Sequence, residues 1–151
     1  VGLLRQPLCK FRLMLTSPSG NGLGVVGPSQ PWGTLAGVPL ISLPIDNPIQ
    51  AVIEKHLARI GRVHEERPRM NLIGTLIAMV RAGRGHAILP SFGLEDCLRQ
   101  GLQVSMLCEP TVHIDLHVVS LRGKEPKLAV TTFVSALLTH FGERDRPFRP
   151  S

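Results

Sequence analysis

"MVRAGRGHAILP", residues 79–90, switches pattern in the middle. Its first part closes an apolar stretch that starts at Asn71. Apolar residues there fall at 72, 73, 76, 77, 79 and 80, which is helical spacing with few polar breaks. Such a helix is largely buried. Asn71 is placed to cap it and Gly83 to end it. The second part, "GHAILP", is a short apolar run stopped by Pro90, the pattern of a buried strand. Helix, glycine turn and strand within one short stretch point to layered α/β structure.

The same alternation extends both ways. Upstream, "FRLMLT" (11–16) and "VPLISL" (38–43) read as strands, the second apolar on both faces and hence central. Asn47-Pro48 then opens a helix with apolar residues at 49, 52, 53, 57 and 60, ended by Gly61. A short strand is expected around 65–69. Downstream come a helix in "GLEDCLRQG", a strand in "LQVSML", a strand in "HIDLHVVSL" with one wetter face, and a terminal helix over 127–141. Residues 17–37 read as a glycine-, proline- and serine-rich connection.

That connection holds "GNGLGVVGPSQPWG" (20–33), in which Gly22, Gly24 and Gly27 fit G-x-G-x-x-G. A dinucleotide turn needs a helix to start behind the third glycine, so that its N–H groups face the phosphates. Here Pro28 and Pro31 follow instead. Asp46, near the spacing of a ribose-binding acid, lies in a proline-flanked loop. The stretch reads as a connection, and no cofactor is expected.

The totals narrow the classes. A length of 151 residues suggests one domain with a real core. The net charge of +6 comes from Lys and Arg spread along the chain, and aromatics are only 4% with no Tyr, so no basic-aromatic stacking surface is visible. Cys9, Cys97 and Cys108 are far apart and odd in number, which fits a reducing cytoplasm and indicates neither a zinc site nor a disulfide framework. No apolar run reaches membrane-spanning length, so no membrane partner is expected.

Candidate chemistry is sparse. His113, Asp115 and His117 share one face of a strand, where they could hold a metal, but no further ligand cluster is visible nearby. Ser91 in "LPSFG" is no nucleophile elbow, and Cys97 sits mid-helix as a packing residue. Residues 81–86 lack the G-K-[ST] ending of a phosphate loop. Nothing assembles a nucleophile, base and oxyanion hole, so an enzyme is not expected.

The order of segments resembles the effector-binding domain of LysR-type transcriptional regulators. The pieces are "TLAGVPLISLP", "IQAVIEKHLARIG", "NLIGTLIAMVRAGRGHAILPSF" and "LHVVSLRGKEPKLAVTTFVSALL". "MVRAGRGHAILP" is the most specific, similar to the family signature V-x-x-G-x-G-[apolar]-x-x-[apolar]-P; it departs at His86, where an aliphatic residue is usual. "PLCKFRLMLTSPSG" is similar to the preceding strand and hinge, and the resemblance covers about residues 5–141.

The resemblance implies an α/β, type 2 periplasmic-binding-protein-like lobe with a partial second lobe. Residues 1–9 would be a hinge-side segment, 10–112 lobe two, 113–142 the strand and helix returning to lobe one, and 143–151 a disordered tail. It implies a cytoplasmic sensor whose small-molecule effector, with carboxylates the favoured class, binds between lobes. Operator DNA would be met only through a missing N-terminal helix-turn-helix domain, and the full-length protein would be a homo-oligomer. The expected ligand-binding residues are Thr16, Ser17, Ile45, Asp46 and Asn47, at or just beyond the C-terminal ends of strands and converging on one rim. Two other readings remain: a solute-binding protein of the same fold, and a small metal-dependent enzyme using His113, Asp115 and His117.

Overall fold

The computed structural model describes residues 2–20 and 22–144, with side chains through Gly142. The chain forms two compact units, one of Arg12–His113 and one of Val1–Phe11 with Ile114–Ser151. Strand β1 (Leu3–Ser17) contributes to both.

In the Arg12–His113 unit β1 is central. It runs antiparallel to β5 (His86–Pro90) on one side and to β6 (Gln103–Cys108) on the other. Leu13 pairs with Pro90, and Thr16 with both Ala87 and Val104. Beyond β5 lies β4 (Leu40–Ile41), parallel to it. Beyond β6 lie β2 (Val25–Val26) and β3 (Gln30–Pro31), both parallel to it. The connection at 17–37 therefore supplies two edge strands and a 3-10 turn at Trp32–Leu35, which its proline and glycine content concealed.

The alternation of β1 divides its side chains between the sheet faces. Met14 joins a core with Ile41, Leu43, Ala87, Leu89 and Val104, closed by Leu76, Ile77 and Val80 of α2 (Ile73–Arg81) and Cys97 of α3 (Leu94–Arg99). Leu13 and Leu15 alternate to the other face. Trp32, Leu35, and Ile53 and Leu57 of α1 (Pro48–Arg59) are buried outside that core. Helix α2 stops as expected, with Gly83 at φ +72, a left-handed conformation that glycine takes without steric penalty.

Several local expectations need correction. Residues 65–69 form no strand; Arg69 makes one isolated parallel bridge to Ser42, because the segment's polar residues are used in side-chain ion pairs instead. Asn71 does not cap α2: Leu72 holds that position, with no side-chain cap. The strand expected over 38–43 as a central one is regular only at Leu40–Ile41 and stands last in the strand order, beyond β5, although Leu40, Ile41, Ser42 and Leu43 are all buried.

In the second unit, β7 (His113–Leu121) pairs with β1, and Arg122 N–H donates to the Gly2 carbonyl at 2.9 Å. Helix α4 (Leu128–Arg144) places Phe141 edge-on to Phe11, with ring centroids 6.1 Å apart. It continues past Gly142, so the tail expected from residue 143 is helical at its start, and residues 145–151 lie outside the described part.

Candidate functional site

The best-built rim of the Arg12–His113 unit is the chain leaving β4. Residues 44–47 form a turn closed by Asn47 N–H to the Pro44 carbonyl at 3.0 Å. Asn47 then caps α1, its Oδ1 accepting from Ile49 N–H at 2.9 Å, with Pro48 in the first turn. The cap leaves Ile45 64% exposed at the tip, beside an exposed Asp46.

A network of charges braces this turn. Gln50 is buried; its Oε1 accepts from Leu43 N–H at 3.1 Å and its amide donates to Glu54 at 2.7 Å. Arg67, almost fully buried, reaches Glu54 at 3.1 Å, Glu65 at 3.1 Å and the Ser42 hydroxyl at 3.2 Å. Arg69 donates to the Leu43 carbonyl at 2.9 Å. Arg62 donates to the Leu35 and Val38 carbonyls at 2.7 and 2.8 Å and pairs with Glu65 at 2.7 Å. The Arg62 hydrogen bond, with Arg67 adding to it, holds the Glu65 carboxyl below its ordinary pKa despite some desolvation.

The five residues expected to line the site do not converge. β1 is antiparallel to both β5 and β6, while β4 is parallel to β5. The C-terminal ends of β1 and β4 therefore point opposite ways. Thr16 is level with Ile41 through Ala87, and the chain climbs from there at about 3.3 Å per residue to the 44–47 turn. Ile45, Asp46 and Asn47 emerge at the end where Leu13 pairs with Pro90; Ser17 sits at the other. Thr16 is also completely buried. Its hydroxyl lies by the Cys97 thiol without a hydrogen bond of ordinary geometry. Sequence reasoning missed Ser91, whose hydroxyl accepts from Arg12 N–H at 3.1 Å at the same end as the 44–47 turn. It reaches that end because β5 runs parallel to β4, a direction that no local sequence pattern shows.

At the far end, Ser17 Oγ and His86 Nδ1 share a hydrogen bond of 2.8 Å. Burial pushes the His86 pKa below its ordinary 6.5. The unfolded chain then binds more protons than the fold in the window between the two values. The His86 contribution to stability is flat above pH 6.5, falls as pH drops through the window, and is flat again below the folded pKa. The urea midpoint should therefore fall between neutral pH and the acid side of 6.5. His86→Leu should flatten that slope; an equal slope in both proteins would refute the assignment.

The glycine stretch has a packing role. A Cβ on Gly24 would lie 2.7 Å from Leu98 Cα and closer still to the Leu98 carbonyl oxygen. One on Gly101 would strike the backbone of Gly22. These glycines let a loop lie directly on the end of α3. Gly24→Ala should cost about 1–3 kcal/mol from overpacking; an unchanged urea midpoint would contradict this.

On β7, His113, Asp115 and His117 are exposed, and Asp115 lies 3.8 Å from Lys10. Among the described residues no group of three or more His, Cys, Asp or Glu side chains could hold a metal ion. Cys97 is buried, and desolvation raises its thiol pKa, which leaves a packing group rather than a reactive thiolate. No helix among the described residues is long and apolar enough to cross a membrane.

A family model described as "LysR substrate binding domain" matches residues 2–142. No curated protein matches the chain in sequence. Solved structures similar in fold include the effector binding domain of QuiR in complex with shikimate (14% identity, TM-score 0.71, covering 93% of this chain and 66% of that one). The regulatory domain of CcmR from Synechocystis PCC6803 in complex with 2-PG is 16% identical, with a TM-score of 0.74 and coverage of 93% and 68%. The regulatory domain of MetR, a LysR family regulator from N. meningitidis, is 18% identical, with a TM-score of 0.68 and coverage of 97% and 69%. The chain thus spans about two thirds of the length of these structures.

Proposed function

The chain belongs to the LysR substrate binding domain family, with its type 2 periplasmic-binding-protein-like fold, and from that premise we propose that it senses a small-molecule effector for a LysR-type transcriptional regulator. The sensing rim is the 44–47 turn, with Ile45, Asp46 and Asn47 as ligand-binding residues. Thr16 and Ser17 leave the set because they stand at the other end of the sheet. Residues 10–112 act as lobe two, and 113–142 as the return to lobe one. The protein works in the cytoplasm, catalyses no reaction, and meets operator DNA through a separate domain of a homo-oligomeric regulator. QuiR and CcmR were solved with shikimate and 2-PG, which supports a small polar effector here.

The observation that carries the reading is the capped turn at the C-terminal end of β4. It presents an exposed Ile45 and Asp46 on a braced base, where ligands of open α/β sheets bind. The test is a thermal-shift screen of small acids, amines and neutral sugars, repeated on Ile45→Ala. Ile45 is exposed, so its loss leaves folding intact. Compounds that raise the melting temperature of the native chain should lose most of their effect in the variant. Stabilisation that survives both Ile45→Ala and Asp46→Ala would place binding elsewhere.

A further inference from the structure

The charges that brace the 44–47 turn do not cancel. Arg62, Arg67 and Arg69 bring three guanidiniums, and Glu54 and Glu65 bring two carboxylates. Within this paired set one positive charge is in excess, the exposed Asp46 of the turn standing outside it, and the geometry shows which residue carries it. Arg62 has its fork filled by Glu65 and two carbonyls. Arg67 has Glu54 and Glu65 within 3.1 Å, and its side chain is only 4% exposed. Among the described residues Arg69 pairs only with Glu54, at 3.7 Å, and that carboxylate is already taken by Arg67 and Gln50.

Arg69 is also the most open of the three, with 28% of its side chain exposed. A guanidinium carries five donors. Among the described residues only Nη1 of Arg69 donates, to the Leu43 carbonyl two residues before Ile45. That bond and the backbone bridge to Ser42 hold the guanidinium at the base of the turn. Asp46 is the nearest acid in sequence to Leu43, but it makes no ion pair with Arg69 among the described residues.

We propose that Arg69 anchors the effector through an anionic group, a carboxylate or a phosphate, and so sets the charge selectivity of the site. The proposal rests on the 44–47 turn being the sensing rim and adds the chemical class that the rim selects. A planar fork with free, pre-oriented donors suits a two-oxygen anion. Glu54, 3.7 Å away and already accepting from Arg67 and Gln50, pairs with it by charge but makes no hydrogen bond to it.

The experiment follows arginine Nε–H and backbone amide NMR signals while acetate, phosphate and neutral acetamide are added at constant ionic strength. The expected result is a saturable shift of the Arg69 signal with acetate or phosphate and none with acetamide. The exposed Arg81 and Arg84 should not move in parallel. Acetate against phosphate distinguishes the two sources of charge. Arg69→Met should weaken the anion response of the turn amides roughly tenfold, as for loss of a charge-assisted hydrogen bond; Arg69→Lys should fall between. Equal shifts at Arg81 and Arg84 would reduce the effect to screening and overturn the proposal. So would silence at Arg69, whether or not the amides of residues 45–47 respond. The two failures are distinguishable: if those amides move while Arg69 stays silent, the sensing rim stands and only its selection by Arg69 falls. The native-chain titration decides the matter even if Arg69→Met does not fold.

Discussion

Replacing Trp32 with alanine is expected to lower stability by about 3–5 kcal/mol, the usual cost of removing a buried aromatic ring. Trp32 is the only tryptophan of the chain and is 2% exposed. Its ring stacks on His56 of α1, centroids 5.0 Å apart and planes tilted by 30°. Its indole N–H donates to the Pro110 carbonyl at 3.0 Å. One side chain thus ties a 3-10 turn, a helix and the chain after β6 together. Domains of this size are stable by only about 5–15 kcal/mol, so the variant should lose a large share of its stability. Trp32→Phe keeps most of the ring but leaves the Pro110 carbonyl without its donor, and should cost less. Urea titrations followed by circular dichroism measure both. A loss under about 1 kcal/mol for the alanine variant would mean the site collapses onto the space.

Arg62→Met should cost about 3 kcal/mol at neutral pH, because it strips two carbonyls and a carboxylate of a largely buried partner. The Leu35 and Val38 carbonyls lose their bonds to Nη1, and the turn between them loses its anchor to the end of α1. The deficit should depend on pH. Glu65 has a folded pKa below its ordinary 4.5, chiefly through its hydrogen bond with Arg62. Its contribution is present above 4.5 and is lost as pH falls through the depressed folded value. The gap between native and variant should narrow in acid for that reason. A gap of constant size from pH 7 to pH 3 would show that only the carbonyl contacts count. The Glu65 window opens downward from 4.5 and the His86 window from 6.5, so the His86→Leu background isolates the Glu65 titration.

Much of the fold is legible in the sequence because local patterns and tertiary demands agree. The Asn47-Pro48 start of α1, the Gly83 stop of α2, and the runs of β5 and β6 each follow from a short-range rule. Strand direction is not local. "FRLMLT" reads the same whether it runs with β4 or against it, yet that choice decides whether Thr16 and Ser17 reach the rim or the opposite end. Asn71 has the chemistry of a cap, but α2 begins two residues later, where only Leu72 precedes it. The short strands β2 and β3 hide because a two-residue strand shows no periodicity. The Arg62, Arg67 and Arg69 brace is invisible for a different reason: a polar segment looks solvated until its partners on α1 and around β4 are placed.

The position of β1 has a consequence for how the chain reaches this state. Its hydrogen-bond partners β5 and β6 lie some 70 to 90 residues further along, and Leu13 N–H waits for the Val112 carbonyl. On a ribosome β1 emerges long before β5 and β6, its two partners in this unit. Leu13, Met14 and Leu15, completely or almost completely buried at the end, spend that interval without their sheet. Closing the sheet requires loops of most of the unit's length before any strand contact returns free energy, which puts folding in the slower, non-local regime. A nascent chain stopped before Cys108 holds β1 with one edge open, and that exposed apolar strand is what a chaperone or another nascent copy would meet first.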